Sequence, residues 1–142
     1  MIEVKQELLT PEMKTKIDKG FSQHALEATG RQGRGDLITF TAYDVSDSEN
    51  PIFAGTVCVQ MYWGQLHIKY VLVEPAYRKR GLGTQLVEQA LNYGRKNKCS
   101  FALVETMSFQ APQFYQKLGF VLELTRTGFL DGVSFHYLKR DL

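Results

Sequence analysis

Arg78-Lys79-Arg80-Gly81-Leu82-Gly83-Thr84 follows the apolar run Tyr70 to Val73 and precedes a segment with apolar residues at helical spacing. That order predicts a strand, a tight basic turn and the first turn of a helix. Such a turn leaves backbone N–H groups unpaired at a helix N-terminus, where the dipole is positive, and so suits a phosphate. A side chain at Gly81 or Gly83 would keep a pyrophosphate off the backbone, and a left-handed φ can also be needed there. Arg78, Lys79 and Arg80 add positive charge.

This loop differs from the common nucleotide loops. A Walker loop needs G-x-x-x-x-G-K-[ST], and the dinucleotide fingerprint needs a third glycine where Leu86 stands. The remaining pattern, Arg78-x-x-Gly81-x-Gly83, is followed about thirty residues on by Ser108-Phe109-Gln110-Ala111-Pro112-Gln113-Phe114-Tyr115-Gln116-Lys117-Leu118-Gly119-Phe120. The first pattern resembles the pyrophosphate loop of the GNAT superfamily of acetyl-coenzyme A-dependent N-acetyltransferases. The second resembles that family's N-x-x-A-x-x-x-Y-x-x-x-G-F helix, with Ala111, Tyr115, Gly119 and Phe120 in register and Ser108 in place of the usual Asn. The resemblance runs from about Gln65 to the C-terminus and is only topological before that.

Composition fits one enzyme domain spanning residues 1–142: at 44% hydrophobic and 23% charged, the chain can bury a substantial core. A net charge of +2, with basic residues gathered at 78–80 and at Arg95, Lys96 and Lys98, lacks the face-wide stripe expected of a nucleic-acid binder. Cys58 and Cys99 have no metal-ligand spacing and are expected to be reduced, buried small hydrophobes, so no metal is implied. The N-terminus lacks a signal-peptide apolar core and no stretch approaches a membrane span, which predicts a cytoplasmic protein.

Ile2 to Leu8 is predicted as a first strand. Thr10 and Pro11 start a helix with Met13, Ile17 and Phe21 on one face, ended by Gly20 and the stretch from Thr29 to Gly35. Gly30 to Gly35 imitates a phosphate loop but has no strand before it and no helix after it, and is predicted to be a flexible loop. The period then changes to two over 37–43, 52–62 and 66–73, an antiparallel meander. A helix follows with Leu86, Val87, Ala90, Leu91 and Tyr93 inward, then a strand over 100–105, a helix over 110–118 and a closing hairpin, 121–127 with 133–140. The resemblance therefore implies an α/β (α+β) GNAT fold: a mixed, mostly antiparallel sheet of about six to seven strands with about four helices, splayed at the acetyl-coenzyme A site.

The same resemblance implies roles for individual residues. The backbone of Val71, Leu72 and Val73 would pair with the pantetheine arm like an added strand, one N–H serving as an oxyanion donor. Arg78, Lys79, Arg80, Gly81, Leu82, Gly83 and Thr84 would hold the pyrophosphate. The acceptor amine would attack directly, with no enzyme-bound nucleophile. Tyr115 would protonate the leaving thiolate, and Ser108 would bond the pantetheine or cap its helix. His67, Glu105 and Glu74 are the candidate bases; imidazole titrates near neutrality, Glu105 could instead hold a cationic acceptor, and Glu74 before Pro75 reads as turn surface. The expected partner is a small-molecule amine, and a homodimer is compatible with such a domain. A protein lysine or N-terminal acetyltransferase, and a coenzyme A-binding regulatory domain without turnover, stay open as alternatives.

Overall fold

The period-two segments build the sheet. A computed structural model describes residues 1–142 and divides them into two units, Met1–Gly33 and Arg34–Leu142. The first contains α1 (Pro11–Thr29), whose start is capped by Thr10 Oγ1 accepting the N–H of Met13 at 3.1 Å and whose end is Gly30 at φ 77°. The helix runs through Gly20, where the sequence predicted a stop. One interior glycine costs only about 1 kcal/mol, which caps at both ends can offset. Ile2 to Leu8, expected as a strand, has no regular structure: its apolar alternation stops at Val4, and an unpaired strand leaves its N–H and C=O groups without partners.

The second unit holds β1 (Arg34–Asp44), β2 (Ile52–Tyr62), β3 (Gln65–Val73), α2 (Leu82–Lys96), β4 (Phe101–Met107), α3 (Pro112–Lys117), β5 (Val121–Arg126) and β6 (Phe135–Asp141). Short 3-10 turns cover Pro75–Tyr77 and Leu130–Gly132. The six strands lie in the order β1-β2-β3-β4-β6-β5, and every neighbouring pair is antiparallel except β3 with β4. The sheet is therefore mixed and mostly antiparallel, with three α-helices in the chain rather than about four. β1 begins at Arg34, paired with Tyr62, so the predicted flexible loop gives way to strand at its last two residues.

The meander and the α2 segment form as their periodicity predicts. Val57 and Val59 of β2, Leu66 and Ile68 of β3, Ala102 and Val104 of β4 and Leu138 of β6 are buried against Leu86, Val87, Ala90 and Leu91 of α2. Cys99 is buried, while Cys58, on the opposite sheet face from Val57 and Val59, is half-exposed. No helix is long and apolar enough to cross a membrane.

The far end of the β3–β4 pair is closed by one side chain. Gln65 Oε1 accepts the N–H of Ser100 (2.9 Å), the hydroxyl of Ser100 (3.1 Å) and the N–H of Phe101 (3.0 Å). Gln65→Leu removes the acceptor of those donors and is expected to cost about 0.5–1.5 kcal/mol in chemical denaturation, whereas Gln65→Glu, which keeps the acceptor, should lose much less. Equal losses in the two variants would show that packing, not acceptance, closes this end.

Candidate functional site

β3 and β4 pair over three positions only: Leu66 with Ala102, His67 with Leu103, and Ile68 with Val104. Beyond Ile68 and Val104 they part, although β3 continues to Val73 along β2 and β4 continues to Met107 along β6. Two strand edges thus face each other without ladder partners, around a cleft of about 860 Å³. An open edge of this kind accepts an extended ligand backbone as an added strand.

A bulge shapes the β3 edge. The register against β2 slips between Cys58 and Val59, so that Tyr70 pairs with Cys58 and Ile68 with Val59, leaving Lys69 as the extra residue. The inward residues therefore change from Leu66 and Ile68 to Val71 and Val73, which pack on the core, while Tyr70 and Leu72 are exposed. A bulge re-aims side chains and interrupts pairing, and here it coincides with the point where the strands separate.

At the far end of the cleft the basic turn enters α2. Gly81 caps that helix at φ 79° with no side-chain cap, and a Cβ there would meet nothing within 4 Å, so the first N–H groups of α2 have no side-chain partner and the approach to them is open. At Gly83 glycine has a reason beyond the one expected. A Cβ would lie 3.3 Å from the Phe114 ring, so Gly83 makes room for α3 as well as leaving its backbone bare. Arg78 Nε donates to the carbonyl of Val73 at 3.0 Å, tying the turn to the strand, and Lys79 takes a left-handed φ of 63°. The uncapped helix N-terminus, the adjoining cations and the unpaired edge fit acetyl-coenzyme A, phosphates at one end and an extended amide-bearing arm along the other.

The turn is braced from outside. Tyr77 donates its hydroxyl to Asp44 Oδ2 at 2.7 Å, and the Arg80 guanidinium carbon lies 5.5 Å from the centre of the Tyr77 ring. Hydrogen bonds from the Ser46 hydroxyl and amide, then from Tyr77, hold the Asp44 carboxyl down at about 2, with Arg80 adding a smaller pull. A depressed carboxylate supports the fold above its unfolded value and loses that contribution as pH falls through the folded one. The brace thus stands at neutral pH and fails only toward pH 2.

α3 covers the cleft from the other side. Tyr115 is 7% exposed, stacked edge-on between Phe114 (5.1 Å) and Phe120 (5.6 Å), and lines the cleft. Burial alone pushes its phenol up to about 12. Gln110, expected as the first residue of this helix, lies before it: its side-chain oxygen accepts the N–H of Met107 at 3.0 Å and closes the end of β4. Ser108 is bonded to the loop before β6. Its hydroxyl accepts the N–H of Ser134 (3.0 Å) and its own N–H donates to the Ser134 carbonyl (2.9 Å).

His67 and Glu105 come together. Nε2 of His67 is 2.8 Å from Oε2 of Glu105, across the last paired stretch of β3 and β4. Glu105 lines the cleft; His67 stands behind it. Glu74 sits at the start of the Pro75–Tyr77 turn, and its N–H donates to the Ala54 carbonyl. Lys69, Phe109 and Phe114 also line the cleft and were not singled out from the sequence. The signal for Lys69 was present in the break of alternation between Leu66-x-Ile68 and Val71-x-Val73.

The brace generates a prediction. Tyr77→Phe removes the bond to Asp44 Oδ2 and loosens the ring under Arg80, and should weaken acetyl-coenzyme A binding by about three- to tenfold in calorimetry, with no loss of folded protein by circular dichroism. Unchanged affinity would make the bridge irrelevant to the turn.

Comparison with known proteins agrees with this geometry. Residues 6–120 match the model of the Acetyltransferase (GNAT) family. The chain is 33% identical over 90 residues to blasticidin-S acetyltransferase of Streptomyces morookaense, an alignment covering 63% of this chain and 66% of that protein, just under two thirds of its length. Among solved structures, a protein from Agrobacterium tumefaciens superposes with a TM-score of 0.82 at 21% identity over 100% of both chains. A nourseothricin acetyltransferase superposes with a TM-score of 0.63 at 27% identity, over 75% of this chain and 65% of that one. With a forked β3–β4 pair, an uncapped basic turn at a helix N-terminus and a match over residues 6–120, the chain belongs to the GNAT family of acetyltransferases.

Proposed function

We propose that the protein acetylates a primary amine of a small molecule, and that residues 1–142 work as one N-acetyltransferase domain. The observation that carries the reading is the Glu105 carboxylate, held by His67 and lining the cleft at the point where β3 and β4 part. A carboxylate there attracts an ammonium and can accept its proton, and the imidazole behind it fixes the carboxylate's position. The names of two relatives, a blasticidin-S and a nourseothricin acetyltransferase, support a small-molecule acceptor.

The donor supplies an acetyl thioester. The α2 N-terminus and the basic turn hold its phosphates, and the Val71 to Val73 edge aligns its arm, an N–H of that edge polarising the carbonyl. Glu105 orients the acceptor's nitrogen and takes its proton, with His67 Nε2 holding the carboxylate in place, as the new C–N bond forms, the C–S bond breaks and the thiolate leaves. Tyr115 faces the departing sulfur. A phenol near 12 stays protonated at neutral pH, and an ordinary thiol ionises near 8.5, so full transfer to the thiolate is uphill. Tyr115 therefore stabilises the sulfur by donating a hydrogen bond, a narrower role than outright protonation.

Release of free thiol from acetyl-coenzyme A across a library of amines tests the reading. Turnover is expected with small amines, and Tyr115→Phe should lower kcat by about 10²-fold with the affinity for acetyl-coenzyme A little changed. Binding of acetyl-coenzyme A with no turnover on any amine would defeat the proposal, and equal turnover in the variant would reduce Tyr115 to packing.

A further inference from the structure

Lys69 and Glu105 are the first residues beyond the last β3–β4 pair, Ile68 with Val104, one on each branch of the fork. Both line the cleft, yet none of the ion pairs in the structure includes Lys69, and the carboxylate is bonded to His67 instead. Lys69 is also the extra residue of the β3 bulge. An ammonium half-buried in a cleft without a partner is costly, so the question is what partner it serves.

The donor does not offer one there. Its thioester and the amide arm behind it are uncharged, and its phosphates belong at the basic turn, which begins after Val73. Four residues of strand separate Lys69 from Val73, about 13 Å at the usual rise. The only other charged side chains lining the cleft are Glu105, whose Oε2 is bonded to His67 and which forms no ion pair with Lys69, and Arg78, whose Nε is committed to the Val73 carbonyl. An anionic group on the acceptor would supply the missing partner.

We propose that Lys69 binds a carboxylate of the acceptor, so that the substrates are zwitterions whose amine lies toward Glu105 and whose carboxylate lies toward Lys69. This rests on the acceptor being a small amine. Two opposite charges that share one cleft without pairing with each other match a molecule carrying the complementary two.

The test compares β-alanine and γ-aminobutyrate with their carboxamides, which keep the amine and the length and lose the charge. Wild-type kcat/KM should favour the acids by about tenfold. Lys69→Met should erase that preference and Lys69→Glu invert it, with KM for acetyl-coenzyme A unchanged in both. Equal use of acids and carboxamides by the wild type, or a preference that survives Lys69→Met, overturns the proposal. So does a shift of the pH–rate profile in Lys69→Met that is the same for acids and carboxamides, since the lysine would then act on the amine's ionisation alone. Titration of N-acetyl-β-alanine and N-acetyl-β-alaninamide into coenzyme A-saturated protein reads the same contact without turnover. Tighter binding of the acid, lost in Lys69→Met, supports the assignment, and equal binding refutes it. If the acid binds through Lys69 while no amine is acetylated, the acetyltransfer reading fails alone; if amines are acetylated regardless of a carboxylate, the zwitterion assignment fails alone.

Discussion

The separation of β3 from β4 after three paired residues is the constraint on which the rest of the structure depends. A parallel pair in the middle of a sheet would ordinarily continue, because every backbone N–H and C=O left out of a ladder must find another partner. Here the inserted Lys69 slips the β3 register against β2, and β4 turns away with β6. Gln65 clamps the pair at its closed end by satisfying three donors at the start of β4. The outcome is a sheet held firmly on both outer sides and open along one internal seam.

The elements around the cleft are placed by that seam. α2 packs on β1 to β3 through Leu86, Val87, Ala90 and Leu91, which fixes its N-terminus at the mouth of the fork. The basic turn is then held by two tethers, Arg78 to the Val73 carbonyl and Tyr77 to Asp44. α3, too short at six residues to stand alone, is held by Tyr115 and Phe120 in the core and by contact of Phe114 with Gly83. The phenol therefore enters the cleft on a rigid support, and its burial, which keeps it protonated to about 12, follows from the same packing.

Much of this was legible in the sequence because it rests on local signals. Alternation from Leu37 to Val73 and the helical spacing from Leu86 to Tyr93 foretold the meander and α2, and the two glycine-containing motifs foretold the family. What escaped rests on distant partners. Ile2 and Val4 alternate like a strand but pair with nothing, and Gly20 looks like a stop but sits between two good caps. Gly83, expected as a phosphate contact, also lies against the ring of a residue thirty-one positions away, a contact its local motif does not reveal. Ser108, at a ligand position of the family motif, is bonded to Ser134 and does not cap α3, whose N-cap is Ala111. The His67–Glu105 bond joins two residues considered separately, since strand register across a parallel pair is not written in either strand.

The central claim is that acetyl-coenzyme A completes the open seam as an added strand and rests its phosphates on the start of α2. Amide hydrogen exchange read residue by residue with and without acetyl-coenzyme A tests it most directly. The account predicts new protection at Val71 to Val73 and at Arg80 to Thr84, with little change in the β1–β2 ladder, which is already paired. Saturating ligand that leaves both stretches exchanging as before, or protects a different face of the sheet, would contradict it.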